Sequence, residues 1–124
     1  MVRRAQLYFS HEGFLLFEND RAMTLKKLCR PKFSPEDELR SAWYALGNGL
    51  RELIAENVEF ITLLSPTKVI DQLEGSFIDD ALIKKMKQEI VEKAFTKFLN
   101  IEKKKISYDE FEKYRDKAKT ELGG

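Results

Sequence analysis

The stretch Ser34 to Leu53, S-P-E-D-E-L-R-S-A-W-Y-A-L-G-N-G-L-R-E-L, reads as a long helix with a clear start. Ser34 is placed to cap it, and Pro35 suits the first helical position, where its missing N–H would have no partner. Glu36, Asp37 and Glu38 favour the positive end of the helix dipole. Asp37, three residues after Ser34, makes a variant of the capping box. Leu39, Trp43, Leu46, Leu50 and Leu53 recur at three- and four-residue spacing, so one face is buried. Gly47 and Gly49 interrupt this helix at a cost of about 1 kcal/mol each relative to Ala. Close packing of the helix backbone on a sheet accounts for both.

Before the helix lies a meander. Ala5 to Ser10 reads as an aromatic-rich strand, His11-Glu12-Gly13 as a turn, and Phe14 to Asn19 as a second strand. Asn19-Asp20 is another turn signal. Arg21 to Lys27 makes a third strand, with Ala22, Thr24 and Lys26 on one face and Met23 and Leu25 on the other.

After the helix, Val58 to Leu64 is apolar on both faces, as a central strand covered on two sides would be. Ser65-Pro66-Thr67 opens a short helix that stops at Gly75. A further helix runs from about Ala81 to Leu99, with Ile83, Met86, Ile90, Ala94 and Phe98 in one stripe. Asn100 to Ile106 reads as an edge strand, which Lys103, Lys104 and Lys105 would keep from pairing with other chains. Ser107 caps a last helix, with Glu110 completing the box. The order βββαβααβα implies an α/β fold: a mixed sheet with helices on its faces.

Composition bounds the function classes. The chain has 124 residues and a net charge of +1. That length suits one domain, 1–124, with a real core. A near-neutral balance gives no global argument for nucleic acid or an anionic membrane as partner. The charge is uneven, however: residues 1–80 carry ten Lys and Arg against thirteen Asp and Glu, a net −3, and residues 81–124 a net +4. Cys29 is the single cysteine, so no intrachain disulfide is possible and a reduced, cytoplasmic setting is expected. His11, the one histidine, lies far from it in sequence, so the pair does not read as a nucleophile and its base. No apolar run is long enough to span a bilayer, and no signal peptide is read. Sparse Asn and Gln with plentiful Lys and Glu lean toward a thermophilic source.

Two strings carry a resemblance. Ser41 to Leu50, S-A-W-Y-A-L-G-N-G-L, is similar to the first-helix motif of the ribonuclease H family, A-E-Y-x-A-L-x-x-G-L. Val58 to Gly75 resembles the family's following strand and helix, with Val69, Ile70, Gln72, Leu73 and Gly75 matching. The resemblance runs from Leu7 to about Leu122. It implies a ribonuclease H-like mixed five-stranded sheet with helices on both faces.

That family cleaves the RNA strand of a hybrid with two divalent metal ions. The metals need clustered carboxylates, because Mg²⁺ prefers hard oxygen ligands and the pair stabilises the attacking and leaving oxygens. The resemblance puts the four acid positions on Ser10, Ala42, Ser65 and a position near Lys113, with Glu112 or Asp116 under a small shift. The expectation is therefore a domain without the usual catalytic or metal-binding residues, and no cofactor. Relocated acids would be Glu12, Glu38, Asp71 and Glu112, with Mg²⁺ or Mn²⁺. But two residues along a strand is about 7 Å, and one helical turn is about 5 Å. Octahedral Mg²⁺ tolerates such shifts only if every ligand moves together.

Two functions compete. The first is a non-catalytic module that binds a protein or nucleic acid. Its nucleic-acid candidates are Lys84, Lys85, Lys87, Lys93, Lys97, Lys103, Lys104 and Lys105. The second is an active metal-dependent nuclease with relocated acids. Homodimerisation fits a small domain on base rates alone. Trp43 reads as core, and His11 as a solvated turn residue.

Overall fold

The structure is a computed structural model and describes residues 2–27 and 37–123. Strands β1 (Arg4–Ser10), β2 (Gly13–Glu18) and β3 (Arg21–Lys27) form the meander. Helix α1 (Glu38–Ala55) leads to β4 (Phe60–Ser65), then α2 (Val69–Leu73), α3 (Ala81–Glu89), β5 (Asn100–Lys105) and α4 (Tyr108–Glu121). The sheet has five strands in the order β3-β2-β1-β4-β5. The meander pairs antiparallel, while β1, β4 and β5 run parallel, their connections being the helical crossovers that parallel pairing requires. The expected order and mixed sheet are found.

Alternating side chains divide the core in two. On one face Leu7, Phe9, Leu16, Ile61 and Leu63 meet Trp43, Leu46, Leu50 and Leu53 of α1, with Val69, Ile70, Ile83 and Ile90 behind them. On the other, Tyr8, Leu15, Phe17 and Leu64 meet Phe111 and Ala118 of α4. Helices thus cover both faces, as the doubly apolar β4 requires. The Trp43 indole N–H is buried and donates to Gln72 Oε1 at 2.8 Å, tying α1 to α2. Such a donor left unpaired would be costly, which explains a buried glutamine at this point.

Local chemistry explains most boundaries. Asn19 and Asp20 take φ of 53° and 61°, the left-handed pair of a two-residue hairpin turn. Asp80 caps α3 by accepting from the N–H groups of Leu82 and Ile83. Ser107 Oγ accepts from Glu110 N–H at 3.1 Å and caps α4. The cap expected at Ser34 and Pro35, the charge of Glu36 and the Cys29 thiol lie outside the described residues.

Three expectations are corrected. The faces of β3 do not alternate throughout: Leu16 pairs with Thr24 but Phe17 with Ala22, so a bulge leaves Met23 extra. Ala22 and Leu25 therefore both pack on the α4 side, and Met23 on the α1 side. The long helix after Asp80 is α-helical only to Glu89; a π-helical turn, Ile90–Ala94, and a 3₁₀ turn, Phe95–Lys97, follow. Its apolar stripe is nonetheless the one expected. The chain leaves the helix because Leu99 N–H donates to the Glu59 carbonyl at 2.8 Å and starts β5 pairing. Finally, close packing explains Gly49 but not Gly47. A Cβ at Gly49 would lie 2.5 Å from Leu7 Cδ1, whereas one at Gly47 would meet Ile90 Cδ1 at an ordinary 3.9 Å.

Candidate functional site

Open α/β sheets bind ligands outside the carboxyl ends of their parallel strands. Here Tyr8 of β1 pairs with Leu64 of β4, so Ser10 and Ser65 end adjacent strands at that edge. Both are fully buried, and both hydroxyls are committed to local turns. Ser10 Oγ accepts from Glu12 N–H at 3.1 Å. Ser65 Oγ lies 2.7 Å from Thr67 Oγ1 and accepts from Thr67 N–H at 3.1 Å. Thr67 Oγ1 in turn accepts from Val69 N–H at 3.3 Å, at the start of α2. Ala42 is buried in the core facing the sheet, and Lys113 is exposed on α4.

The four candidate replacement acids have different surroundings. Glu12 is paired with Arg115 of α4 at 2.9 Å, a contact between residues 103 apart in sequence. Asp71 is paired with Lys105 at 2.6 Å. Glu38 is exposed at the start of α1, one turn before buried Ala42, and Glu112 is exposed on α4. Glu12 and Glu38 both act on Tyr108, whose hydroxyl pKa is raised first by burial and then by these two negative charges. Among the described residues no three His, Cys, Asp or Glu side chains are grouped so as to hold a metal ion. The residues at this edge do not fit a two-metal centre, since the serine hydroxyls are already used and two of the acids face protein cations.

His11 is more enclosed than expected. Its ring is half-buried, 6.3 Å from that of Tyr108, and its Nδ1 is buried without a hydrogen bond. Trp43 is core, as expected. Arg115 was not foreseeable as the partner of Glu12; only the packing of α4 on the meander brings them together.

The lysine candidates divide into groups. Lys84, Lys85 and Lys87 lie on α3, and Lys103, Lys104 and Lys105 on the edge strand β5. The two groups approach α2 from either side: Lys87 Nζ donates to the Gln72 carbonyl at 2.7 Å, and Lys105 to Asp71. Lys93 and Lys97 are exposed beyond the α-helical part of α3. Lys85, Lys93, Lys97, Lys103 and Lys104 make no ion pair among the described residues, whereas the charge of Lys105 is matched by Asp71.

No family model matches the sequence, and no curated protein matches it significantly. Solved structures do match. The crystal structure of RNase H1 from the halophilic archaeon Halobacterium salinarum NRC-1 superposes with a TM-score of 0.67. The match covers 88% of this chain and 89% of that one, at 15% sequence identity. The fold is ribonuclease H-like. At this identity the likeness concerns the ribonuclease H-like fold alone, and the activity must be argued from the residues at the strand ends. No helix of the described residues is long and apolar enough to cross a membrane.

Proposed function

We propose that this chain is a ribonuclease H-like domain that binds without cleaving, with a protein or nucleic acid as ligand. The observation that carries this reading is the chemistry at the carboxyl edge of the sheet. Ser10 and Ser65 end the two central strands there, with hydroxyls engaged in turns. Glu12, the nearest carboxylate in sequence, is matched by the Arg115 guanidinium. A fixed protein cation beside a carboxylate competes with Mg²⁺ for it, and carboxylate ligands are what Mg²⁺ sites are built from. Nucleic acid is the first ligand to test, because unpaired lysines lie on α3 and β5, and phosphate binding follows such cations.

A second reading has one observation in its favour. Glu12 and Glu38, from different elements, both bear on Tyr108. A relocated acid site, which would use Mg²⁺ or Mn²⁺, would have to draw on acids such as these two.

One titration separates the two. The purified protein is incubated with a labelled RNA–DNA hybrid, with Mg²⁺ and then Mn²⁺, and read on native and denaturing gels. The expected result is no metal-dependent cleavage, with a band shift that weakens steeply with salt if nucleic acid is the ligand. Cleavage that disappears in Glu38→Gln would overturn the binding reading. Neither cleavage nor shift leaves the fold reading standing and moves the search to protein partners.

A further inference from the structure

A cavity of about 330 Å³ opens between α4 and the meander, beside the turn from β1 to β2. Leu15 of β2, Leu25 of β3 and Phe111 of α4 form its apolar wall. Leu15 and Phe111 are fully buried, so the core behind them fixes that wall. Glu12, Arg115 and Lys119 supply its charged side chains. Phe111, Arg115 and Lys119 follow one another at four-residue spacing, which puts the apolar wall and both cations on one stripe of α4. Lys26 also borders the cavity, but its ammonium pairs with Glu52 of α1, on the other face of the sheet. An apolar pocket of this size with a few convergent polar groups is the usual form of a small-molecule site.

The polar groups indicate what the cavity accepts. A guanidinium carries five N–H donors. Arg115 makes one hydrogen bond within the described protein, from Nη1 to Glu12 Oε2 at 2.9 Å. Its Nη2 makes none, and its Nε is buried with Asp116 Oδ1 3.7 Å away, beyond hydrogen-bond reach. Lys119 is half-buried and makes no ion pair among the described residues. The acids around the cavity are accounted for. Glu12 is taken by Arg115, Glu52 by Lys26, and Glu121 by the Ala22 N–H and Lys117. Asp116 and Glu112 are exposed, and neither lies within ion-pair distance of Lys119. With Lys26 set against Glu52, two lining cations face one lining carboxylate, and the unmatched charge is that of Lys119. A monoanion meets this balance, whereas a doubly charged phosphate monoester would be opposed by Glu12. A planar carboxylate suits the open side of an arginine fork beside an ammonium. A rigid ring fills an apolar wall with little loss of conformational freedom.

We propose that this cavity binds a small aromatic monocarboxylate, with its ring against Leu15, Leu25 and Phe111 and its carboxylate between Lys119 and Arg115 Nη2. The proposal goes beyond the binding-module reading and does not rest on it. The hybrid titration decides that reading, and the experiment below decides the cavity.

The isotope-labelled whole chain is titrated with phenylacetate, cinnamate and naphthoate, each up to about 5 mM, and followed by two-dimensional amide NMR. The primary amide of each acid serves as its neutral isostere. At least one acid is expected to move the amides of Leu15, Leu25, Phe111 and Lys119 along a saturating curve. Its amide is expected to bind about tenfold more weakly or worse. Lys119→Met keeps most of the apolar stem and removes the charge. It is expected to weaken the acid about tenfold and to leave the amide unchanged, with circular dichroism checking the fold. The comparison of acid with amide needs no variant, so it decides even if Lys119→Met does not fold. No saturating shift with any of the acids would overturn the proposal, as would equal affinity of acid and amide, or shifts confined to other parts of the chain. Inorganic phosphate moving the same amides with equal affinity would overturn it in favour of a general anion site. An oligothymidine whose binding Lys119→Met abolishes, and which displaces the acid, would overturn it in favour of nucleic acid.

Discussion

Two glycines in one helix show how differently the same residue can be used. Gly49 sits where α1 crosses β1, and any side chain there would collide with Leu7. Gly49→Ala is expected to destabilise the fold by about 1–3 kcal/mol, the usual cost of overpacking. Gly47 has room for a methyl group against Ile90. Gly47→Ala is expected to stabilise by up to about 1 kcal/mol, since helical Ala loses less backbone entropy than Gly. Urea unfolding of both variants checks the pair; equal effects would show that contact with Leu7 is not what distinguishes them. In sequence the two positions are indistinguishable, because both interrupt the same apolar helix. The same holds for Glu12: read alone it is a turn residue with a carboxylate, and only α4 supplies its cation.

At the scale of elements, α3 is held at its start by one side chain with two roles. Asp80 caps the helix and pairs with Arg40 of α1 at 2.8 Å. The hydrogen bond from Arg40 is the main cause holding the Asp80 carboxyl below its ordinary value, with the Ile83 and Leu82 N–H groups adding to it. A depressed carboxyl contributes stability above the unfolded value, near pH 4, and loses it as pH falls through the folded value below that. Asp80→Asn keeps a capping oxygen but loses the charge. Its melting temperature is expected to lie below wild type at pH 7, with the gap closing between about pH 5 and pH 2. A gap that is the same at both ends of a thermal-melt series would exclude the ionised pair as its source. Elements also show what periodicity misses. The alternation of β3 fails at a bulge, because a single extra residue moves all later side chains to the other face.

The whole molecule is a five-stranded sheet with a lysine-bearing edge at β5. Among the described residues β5 pairs only with β4, and Lys103 and Lys104 are exposed along it without ion pairs. Lysines on an edge strand oppose further strand addition, since a second copy would bring like charges together. Replacing Lys103 and Lys104 with Thr is expected to produce concentration-dependent association, measured by light scattering after size exclusion. A variant that stays at its wild-type mass at high concentration would assign these lysines another task. At the sheet's carboxyl edge the two central strands end in Ser10 and Ser65, and the fold by itself does not carry an activity. The basic half of the chain does not gather into one continuous patch either. Lys105 and Lys87 both turn toward α2, and the exposed Glu89 and Glu92 lie between Lys87 and Lys93 in sequence.

The element order, the mixed sheet and the buried faces of α1 and β4 were determined by the sequence itself. Those features rest on local periods and caps: the stripe from Leu39 to Leu53, the doubly apolar strand ending in Leu63 and Leu64, and Ser107 before α4. Such signals act within a few residues, so they are complete in the chain as written. The placing of Ser10, Ala42, Ser65 and a position near Lys113 where the family has acids is an expectation that rests on the resemblance alone. Which acids meet a cation, which glycine touches a neighbour and where β3 shifts register were decided by tertiary structure alone. Each depends on a contact between residues far apart in the chain, such as Glu12 with Arg115 or Gly49 with Leu7, and no local period encodes such a meeting.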